Sequence, residues 1–296
     1  MGSKALGVCA IFKNESNYLE EWLEFHIAQG VECFYLFNDK SSDAYEEVLR
    51  PYISSGKVSL FTAPAEPDMT LRQEIAYSQG LRAAKWQCRW LAFIDIDEFL
   101  FAPGRKISEI LPRSPLVAGV FVWWRMFGSS GQAVPPPGGI LRNFTMASPF
   151  PKTHSETREL RRLGNSYLGA GANRVIHGRL IQGKCLVKPL WIREIANHFP
   201  RKYFGIMVDE HNSGVSERFP VSAIRRHFYP QSWSLAAKIP TVDKIRINHY
   251  WSKSLAELRR KSEKWSQVKT AATFEDYLRW DAELNNSEDL TILRQL

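Results

Sequence analysis

The feature that most constrains the fold of this chain is an apolar segment that ends in three acids, at residues 90–101. Its apolar residues follow one another without alternation, as in a strand that is buried on both faces. The acids are Asp95, Asp97 and Glu98. Ionised carboxylates at the end of a buried strand cost free energy, so this position requires a cation or hydrogen bonds to compensate their charge.

Asp95 and Asp97 indicate a divalent metal as the compensating charge. The two residues are two positions apart, so on a regular strand they would share a face. Their carboxylates would offer the hard oxygen ligands that Mg²⁺ and Mn²⁺ prefer. A metal of this kind commonly carries a substrate diphosphate. The alternative is an ordinary turn at the strand end with solvated acids.

The preceding residues predict a sheet covered by helices. Strand patterns lie at 5–12, 31–37 and 58–61, and helix patterns lie at 18–27 and about 71–86. The resulting β-α-β-α-β-α-β order is typical of a parallel sheet. Ligands of such sheets bind beyond the carboxyl ends of the strands. The polar residues at 13–15, 38–43 and 95–98 follow three of the strands, so we expect them to converge on one crevice.

These segments resemble, in order and spacing, the nucleotide-sugar glycosyltransferases of the GT-A fold. The chain is most similar to the family 92 group and to its bacterial relatives within the broader family 2 style. The motifs that carry the resemblance lie at 12–15, 21–26 with Gly30, 38–43, 94–99, 124–131, 188–189, 198–200 and 248–254. One departure is Asn38-Asp39-Lys40, where many relatives carry two adjacent acids.

The resemblance implies an α/β fold of the GT-A type, with a Rossmann-like, mainly parallel sheet flanked by helices. It also implies an elaborated C-terminal region on the acceptor side. We expect a nucleotide-sugar-binding half at 1–104 and an acceptor-side half at 105–296, within what is one continuous domain. The implied reaction is a metal-dependent, inverting transfer of sugar from a nucleotide diphosphate donor, a UDP-sugar, to a glycan or lipid-linked glycan.

The resemblance also implies which residues bind the metal. Asp97 and His249 are predicted ligands of Mn²⁺ or Mg²⁺, because a C-terminal histidine of GT-A enzymes often completes the shell that the Asp-x-Asp motif begins. Imidazole and carboxylate form a mixed ligand set that suits manganese. Asp95 is predicted to bind either the metal or a ribose hydroxyl. A core histidine bonded to the backbone is the alternative for His249.

Donor contacts are predicted at the ends of the first two strands and at the start of a helix. Asn14, Glu15 and Asp39 are placed to bind the base and ribose of the nucleotide. Arg72 or Gln73 could reach phosphate from the first turn of the helix at 71–86.

An inverting enzyme also needs a carboxylate that takes a proton from the acceptor hydroxyl. Asp209 and Glu210 are the first candidates, because their distance along the chain from the Asp-x-Asp motif is like that of the base in related enzymes. Glu156 is the second candidate. Each of the three could equally be an ordinary surface acid.

Composition narrows the remaining classes. The chain has 296 residues and a net charge of +8, from 39 basic and 31 acidic residues. Such a field would attract anionic nucleotide sugars or an anionic membrane that carries a lipid-linked acceptor. No helix-turn-helix, zinc-finger or aromatic ribonucleoprotein motif supports nucleic acid as the partner. Four scattered cysteines suit reduced core residues: Cys9, Cys33, Cys88 and Cys185.

The sequence shows neither an apolar stretch of membrane-spanning length nor a signal-peptide pattern at its start. We therefore expect a cytoplasmic protein that can lie at the inner face of the membrane. Two other classes remain open. A haloacid-dehalogenase-type phosphatase also uses Asp-x-Asp, although there the motif begins the domain. A non-catalytic sugar- or nucleotide-binding module would keep Asp39 and Asp97 without a base.

The C-terminal part predicts further elements. A strand is expected at 117–124, and 173–181 with 184–189 reads as a hairpin around Gln182-Gly183. Ser254 and Glu257 form a capping box at the start of one helix, and 274–284 reads as a second helix. His26 lies on the apolar stripe of the first helix, where a core role is expected.

Overall fold

A computed structural model of the chain describes residues 4–150, 183–215, 241–266 and 273–296. These residues belong to two compact units. The first unit contains 4–122 and 184–215, and the second contains 123–150, 183, 241–266 and 273–296. The division falls inside one long strand, after Val122.

The first unit is built on a parallel sheet of four strands. The strands are β1 (Lys4–Phe12), β2 (Cys33–Asn38), β3 (Val58–Thr62) and β4 (Cys88–Phe93). β1 pairs in parallel with both β2 and β4, and β2 pairs in parallel with β3, which gives the order β3-β2-β1-β4. The connecting helices are α1 (Ser16–Ala28), α2 (Tyr45–Ser54) and α3 (Met69–Ala84). This topology confirms the predicted α/β class with a mainly parallel sheet and flanking helices.

The amphipathic pattern of α1 positions it on the core. Leu19, Trp22 and Leu23 are fully buried, and the Trp22 indole Nε1 donates a hydrogen bond to the Glu98 carbonyl at 2.8 Å. Gly30 follows the helix with φ +94°, a conformation that a residue without Cβ adopts at little cost.

The structure extends the sheet of the first unit on the β4 side. The further elements are β5 (Glu98–Phe101), α4 (Ile107–Ile110), β6 (Val117–Phe127), β8 (Gly183–Val187), a 3-10 turn (Pro189–Trp191), β9 (Ile192–Ile195), β10 (Pro200–Tyr203) and β11 (Ile206–Val208). β8 pairs antiparallel with β4, and β11 pairs in parallel with the start of β6. β9 and β10 form a separate antiparallel pair.

β8 takes the place of one arm of the predicted hairpin at 173–181 and 184–189. Its register, Leu91 opposite Val187 and Ala92 opposite Leu186, joins it to β4. The other predicted arm, 173–181, lies outside the described residues.

The second unit surrounds the end of β6. Its elements are β7 (Met146–Ala147), β12 (Arg246–Tyr250), α5 (Leu255–Ser266), α6 (Phe274–Leu284), β13 (Ser287–Glu288) and a 3-10 turn (Thr291–Gln295). β12 runs parallel to β6, whereas β7 pairs antiparallel with β6 and with β13.

Both C-terminal helices begin with reciprocal caps. The Ser254 hydroxyl and the Glu257 carboxylate cap α5, as the sequence predicts. Thr273 and Asp276 form a second capping box before α6, which the sequence analysis did not identify.

Asp289 joins two arginines of the second unit. Its Oδ2 accepts hydrogen bonds from Arg125 Nε at 3.2 Å and from an Arg246 guanidinium nitrogen at 2.9 Å. Burial opposes ionisation of this carboxyl, but Arg246 and Thr291 outweigh that effect and lower its pKa to about 2.

The four cysteines are buried thiols, as predicted. Among the helices that the structure describes, none is long and apolar enough to cross a membrane.

Candidate functional site

The three acids that follow β4 lie in a turn and the start of the next strand. β4 ends at Phe93, the Glu98 amide donates to the Asp95 carbonyl at 3.1 Å, and the Asp95 amide donates to Glu98 Oε2 at 3.1 Å. The expectation that Asp95 and Asp97 share the face of a regular strand is therefore wrong. The bonds between Asp95 and Glu98 close a turn, so strand alternation does not set the direction of either aspartate.

A buried lysine compensates these acids. Lys184, on β8, places its Nζ 3.0 Å from Asp95 Oδ2 and 3.9 Å from Glu98 Oε1. Its side chain is only 2% exposed, and that of Glu98 is fully buried. Sequence reasoning missed Lys184 as a site residue. The available signal was one lysine in the apolar strand Gly183–Val187.

The charges of these side chains influence one another's pKa values. Burial raises the pKa of Glu98 well above its ordinary value, although Lys184 acts in the opposite direction. Burial by itself would lower the pKa of Lys184, but the Asp95 and Glu98 carboxylates outweigh it and the pKa is raised. Asp97 contributes to both shifts, so its charge belongs to the same cluster. We call Asp95, Asp97, Glu98 and Lys184 the acid cluster.

Helix α3 holds Asp95 from the other side. Gln73 Nε2 and the Tyr77 hydroxyl both donate to Asp95 Oδ1, at 2.7 and 3.0 Å. Asp95 therefore accepts hydrogen bonds at both oxygens, from three side chains including Lys184. This arrangement fixes the carboxylate in one orientation. It gives Gln73 a role in positioning Asp95, in addition to the phosphate contact predicted for it.

Arg72 and Asp39, two predicted donor-binding residues, bind each other. One guanidinium nitrogen of Arg72 lies 2.9 Å from Asp39 Oδ1 and 2.7 Å from Oδ2, and both side chains are largely buried. Arg72 and Gln73 are adjacent on α3, so the helix links Asp39 after β2 to Asp95 after β4. The structure thus brings four predicted residues together by direct hydrogen bonds.

The amino terminus of α3 already carries a carboxylate. Asp68 Oδ1 accepts hydrogen bonds from the Thr70 and Leu71 amides at 2.8 and 2.9 Å. These backbone donors are therefore engaged within the chain, and a phosphate near this helix would depend on side chains such as Arg72.

The loops after β1 and β2 interlock. The Asn14 amide donates to Ser41 Oγ at 2.9 Å, and Asn14 Oδ1 accepts from the Ser42 amide at 2.8 Å. The Ser16 amide donates to Asp43 Oδ2 at 2.7 Å. Asn14 has φ +56°, a region that asparagine tolerates better than most residues. The predicted convergence of these loops is confirmed, and Asn14 acts first as a brace between them.

Glu15 ends this loop where α1 begins. Its carbonyl accepts hydrogen bonds from the Tyr18 and Leu19 amides, and its side chain makes no capping bond to α1. Its predicted contact with the nucleotide stays a prediction.

The candidate bases follow β11 and differ in their environment. Asp209 Oδ1 accepts from the His211 and Ser213 amides at 3.0 and 2.9 Å, so this carboxylate closes its own turn. Glu210 has a side chain that is 1% exposed, with Oε1 3.4 Å from His211 Nε2. Glu156 lies outside the described residues.

His249 lies on β12 in the second unit, opposite Met126 of β6. It is 5% exposed, and its ring packs edge-on against Trp124 with centroids 4.6 Å apart. Its assignment to a metal stays a prediction from the sequence.

The comparisons with known proteins decide the family. The sequence profile of glycosyltransferase family 92 matches residues 4–273. The chain belongs to glycosyltransferase family 92. A family 92 protein of Oryza sativa subsp. japonica is 27% identical over 214 residues, which cover 71% of this chain and 35% of that protein. One of Arabidopsis thaliana is 25% identical over 207 residues, 66% of this chain and 35% of that protein. The chain thus spans about a third of the length of these curated relatives.

Solved structures with a related arrangement include two bacterial proteins. Staphylococcus aureus TarS 1-349 shows 13% identity and a TM-score of 0.38, and the match covers 94% of this family 92 chain and 70% of that chain. Glucosyl-3-phosphoglycerate synthase of Mycobacterium tuberculosis, solved with Mn²⁺, uridine diphosphate and glucosyl-3-phosphoglycerate, shows 13% identity and a TM-score of 0.34. That match covers 81% of this chain and 82% of the other.

The charge of the acid cluster suits a divalent cation. Asp95 and Asp97 place negative charge beside the Lys184 ammonium, whereas burial raises the pKa of Glu98 well above its ordinary value. The residues that the structure describes contain no group of three or more His, Cys, Asp or Glu placed to hold a metal by themselves. Magnesium, however, is usually bound by one or two carboxylates together with substrate phosphates. Asp97 fits that pattern.

Proposed function

We propose that this chain transfers a sugar from a nucleotide diphosphate donor, a UDP-sugar, to a glycan or lipid-linked glycan acceptor, with inversion at the transferred carbon. The observation that carries the proposal is the direct linkage of Asp39, Arg72, Gln73 and Asp95 beside the acid cluster, in a chain of family 92. These side chains lie where ligands of parallel α/β sheets bind, beyond the carboxyl ends of the strands.

The predicted donor-binding residues of the first unit each have a proposed role. Asp39 binds the base or ribose, with Arg72 fixing its carboxylate by two short contacts. Asp95 accepts a ribose hydroxyl or contacts the metal, in the orientation that Gln73, Tyr77 and Lys184 impose. Asn14 supports the proposed nucleotide site by joining the loops after β1 and β2. Glu15 lies in the loop after β1 and contacts the base or ribose in this proposal.

Asp97 is the proposed protein ligand of Mn²⁺ or Mg²⁺. When bound, the metal neutralises charge on the diphosphate and on the leaving nucleotide. The buried ammonium of Lys184 supports the same end, because it reduces repulsion between the carboxylates and an incoming diphosphate.

Glu210 is our first choice for the base that accepts the proton of the acceptor hydroxyl. Asp209 uses one oxygen to close its turn, whereas the Glu210 carboxylate is buried beside the half-exposed imidazole of His211. A base beside an imidazole can pass its proton onward after transfer. Asp209 and Glu156 remain the next candidates.

The deciding experiment is turnover of a panel of UDP-, GDP- and ADP-sugars with Mn²⁺, Mg²⁺ or a chelator, followed as release of free nucleotide. We expect hydrolysis or transfer only with UDP-sugars and metal. Asp97→Asn should lower the rate on the order of 10²-fold, the scale of losing a preorganised electrostatic contact. Glu109→Gln, an exposed acid on α4, is the matched control and should turn over at the parent rate.

Binding measurements separate a catalyst from a binding module. Glu210→Gln should keep UDP affinity by calorimetry while losing transfer, because the base acts on the acceptor hydroxyl alone. Tight UDP binding without turnover of any donor would identify a non-catalytic module instead. Full activity in excess chelator would remove the metal from the proposal, and equal activity of Asp97→Asn would remove Asp97.

A further inference from the structure

The first unit exposes three large apolar side chains on neighbouring loops. Leu116 is 62% exposed, Leu190 49% and Phe204 54%. They precede β6, follow β8 and follow β10, respectively. We call these three residues the apolar tip. Single exposed apolar residues are common on protein surfaces, but a group of them calls for a partner.

Backbone contacts show that the three loops form one surface. The Phe204 amide donates to the Trp191 carbonyl at 2.9 Å, next to Leu190, and the Ile206 amide donates to the Leu116 carbonyl at 2.9 Å. Gly205, between Phe204 and Ile206, comes so close to Leu116 that an added Cβ would lie 2.5 Å from the Leu116 carbonyl oxygen. The sequence therefore scatters these residues and the fold joins them.

The tip lies at the end of the first unit that is opposite to the acid cluster. β8 runs antiparallel to β4, so Lys184 at its start lies beside Asp95, while its other end at Val187 lies opposite Leu91 and the chain continues toward the beginning of β4. Lys188 Nζ is 5.1 Å from the centre of the Trp90 ring, which confirms this direction. At ~3.3 Å per residue, the end of β8 at Val187 is about 10 Å along the strand from Lys184, and the 3-10 turn that carries Leu190 follows it.

The most exposed large apolar side chain of the described residues lies at the same end. Trp86 is 81% exposed and directly precedes β4. Tryptophan is the residue that membrane proteins concentrate at the boundary between lipid and water, where its ring meets the headgroups.

The surroundings of the tip are basic. The segments 112–116, 188–194 and 200–205 contain five cations and one acid. The cations are Arg113, Lys188, Arg193, Arg201 and Lys202, and the acid is Glu194. Lys188 is buried, Arg201 pairs with Glu74 at 2.6 Å, and Lys202 pairs with Glu194 at 2.7 Å. Arg113 and Arg193 are exposed. Arg193 lies over the Phe204 ring, with its guanidinium carbon 5.3 Å from the ring centre. An apolar side chain and a cation are thereby presented together.

We propose that the apolar tip, with Trp86, inserts into the headgroup region of an anionic phospholipid bilayer. The apolar side chains enter the acyl boundary, and the exposed Arg113 and Arg193 bind lipid phosphates, each worth a several-fold gain in affinity. A second copy of the chain does not fit this surface, because two such tips would bring like charges together. The donor site then faces away from the bilayer, toward water.

The test measures binding of the full 296-residue chain to lipid vesicles by sedimentation. One set contains phosphatidylcholine alone and the other phosphatidylcholine with phosphatidylglycerol. We expect binding to the anionic vesicles only, weakened by added salt. Phe204→Ser and Trp86→Ser should each lower the vesicle affinity about tenfold, the equivalent of one buried apolar side chain. Arg113→Glu should lower it by a similar factor.

Val134→Ser provides the matched control, since Val134 is 65% exposed and belongs to the second unit. It should bind vesicles like the parent. Thermal melting checks that each variant folds; because the three test residues lie on separate loops, loss of one variant leaves the others decisive.

Three results would overturn the proposal. The parent could ignore anionic vesicles, bind neutral vesicles equally well, or lose no affinity in the folded tip variants. A dimer in light scattering that Phe204→Ser dissociates would assign the surface to self-association instead. None of these readouts depends on glycosyl transfer, so they stand apart from the test of the proposed function.

Discussion

Lys184 shows at the residue scale how this protein keeps acids at the end of a buried strand. Its ammonium meets Asp95, which is 89 residues away in the chain, and approaches Glu98 as well. The sequence predicted that a cation was needed and named a metal. The fold supplies one cation of its own, the buried ammonium of Lys184.

The first prediction concerns removal of that cation. Lys184→Met keeps the length of the side chain but leaves the Asp95 and Glu98 carboxylates without the ammonium. Breaking a buried ion pair on one side costs about 3 kcal/mol, because an uncompensated charge stays behind. Urea unfolding at neutral pH should show a loss of that size.

The double variant Lys184→Met with Glu98→Gln is the control. Removing the fully buried acid together with its partner should return a large part of the stability, as a positive coupling in a double-mutant cycle. Additive losses would mean that Lys184 stabilises the protein through Asp95 or through packing, and not through Glu98.

At the element scale, helix α3 links the sheet to the site. Its first three turns carry Arg72, Gln73 and Tyr77, which reach Asp39 and Asp95. Its later part packs on β1 through Gly80, where a Cβ atom would lie 2.4 Å from Cys9 Sγ. Glycine at position 80 therefore allows the close approach of α3 to the sheet. The positions of the site residues on α3 depend on this distance.

The second prediction tests this close approach with Gly80→Ala. Alanine favours the helix by about 1 kcal/mol, but the clash with Cys9 forces a shift that typically costs about 1–3 kcal/mol. We expect a net loss of stability in chemical denaturation, together with weaker UDP binding because α3 moves.

Cys9→Ala distinguishes the clash from other causes. In that background the sulfur is gone, so Gly80→Ala should be neutral or stabilising. A loss of stability that is equally large with and without Cys9 would contradict the packing explanation.

At the scale of the whole molecule, stability in mild acid depends on a histidine in the core of the first unit. His26 is fully buried, its Nδ1 lies 2.7 Å from the Trp22 carbonyl, and its Nε2 accepts a hydrogen bond from the Leu100 amide at 3.1 Å. This places the proton on Nδ1 and leaves no position for a second one. Burial lowers the pKa of His26 to about 4, from an ordinary value of 6.5.

The third prediction follows from that shift. Between pH 6.5 and 4 the unfolded chain binds a proton at His26 and the folded chain does not, so stability falls as the pH is lowered through this window. The difference of pKa corresponds to about 3 kcal/mol. His26→Gln should remove this component, so the free energy of unfolding of the parent relative to the variant should decline across the window and level off below it. A constant difference would contradict a buried neutral histidine.

The sequence by itself determined the parts of the fold that depend on local pattern. Apolar runs and amphipathic stripes gave the strands and helices of the first unit, because burial on two faces or one leaves a period that can be read directly. The capping box at Ser254 and the helix Phe274–Leu284 were found for the same reason. The motifs were sufficient to predict the family that residues 4–273 then matched.

Only the tertiary structure decided how the site residues are paired. Arg72 meets Asp39, Gln73 meets Asp95, and Lys184 meets the acids because the order of the strands brings distant segments together. A local pattern carries no information about such partners, since the energy of a charge depends on which opposite charge the fold places within a few ångströms of it. The apolar tip is hidden in the sequence for the same reason: its residues come from three loops that become one surface only when the sheet forms.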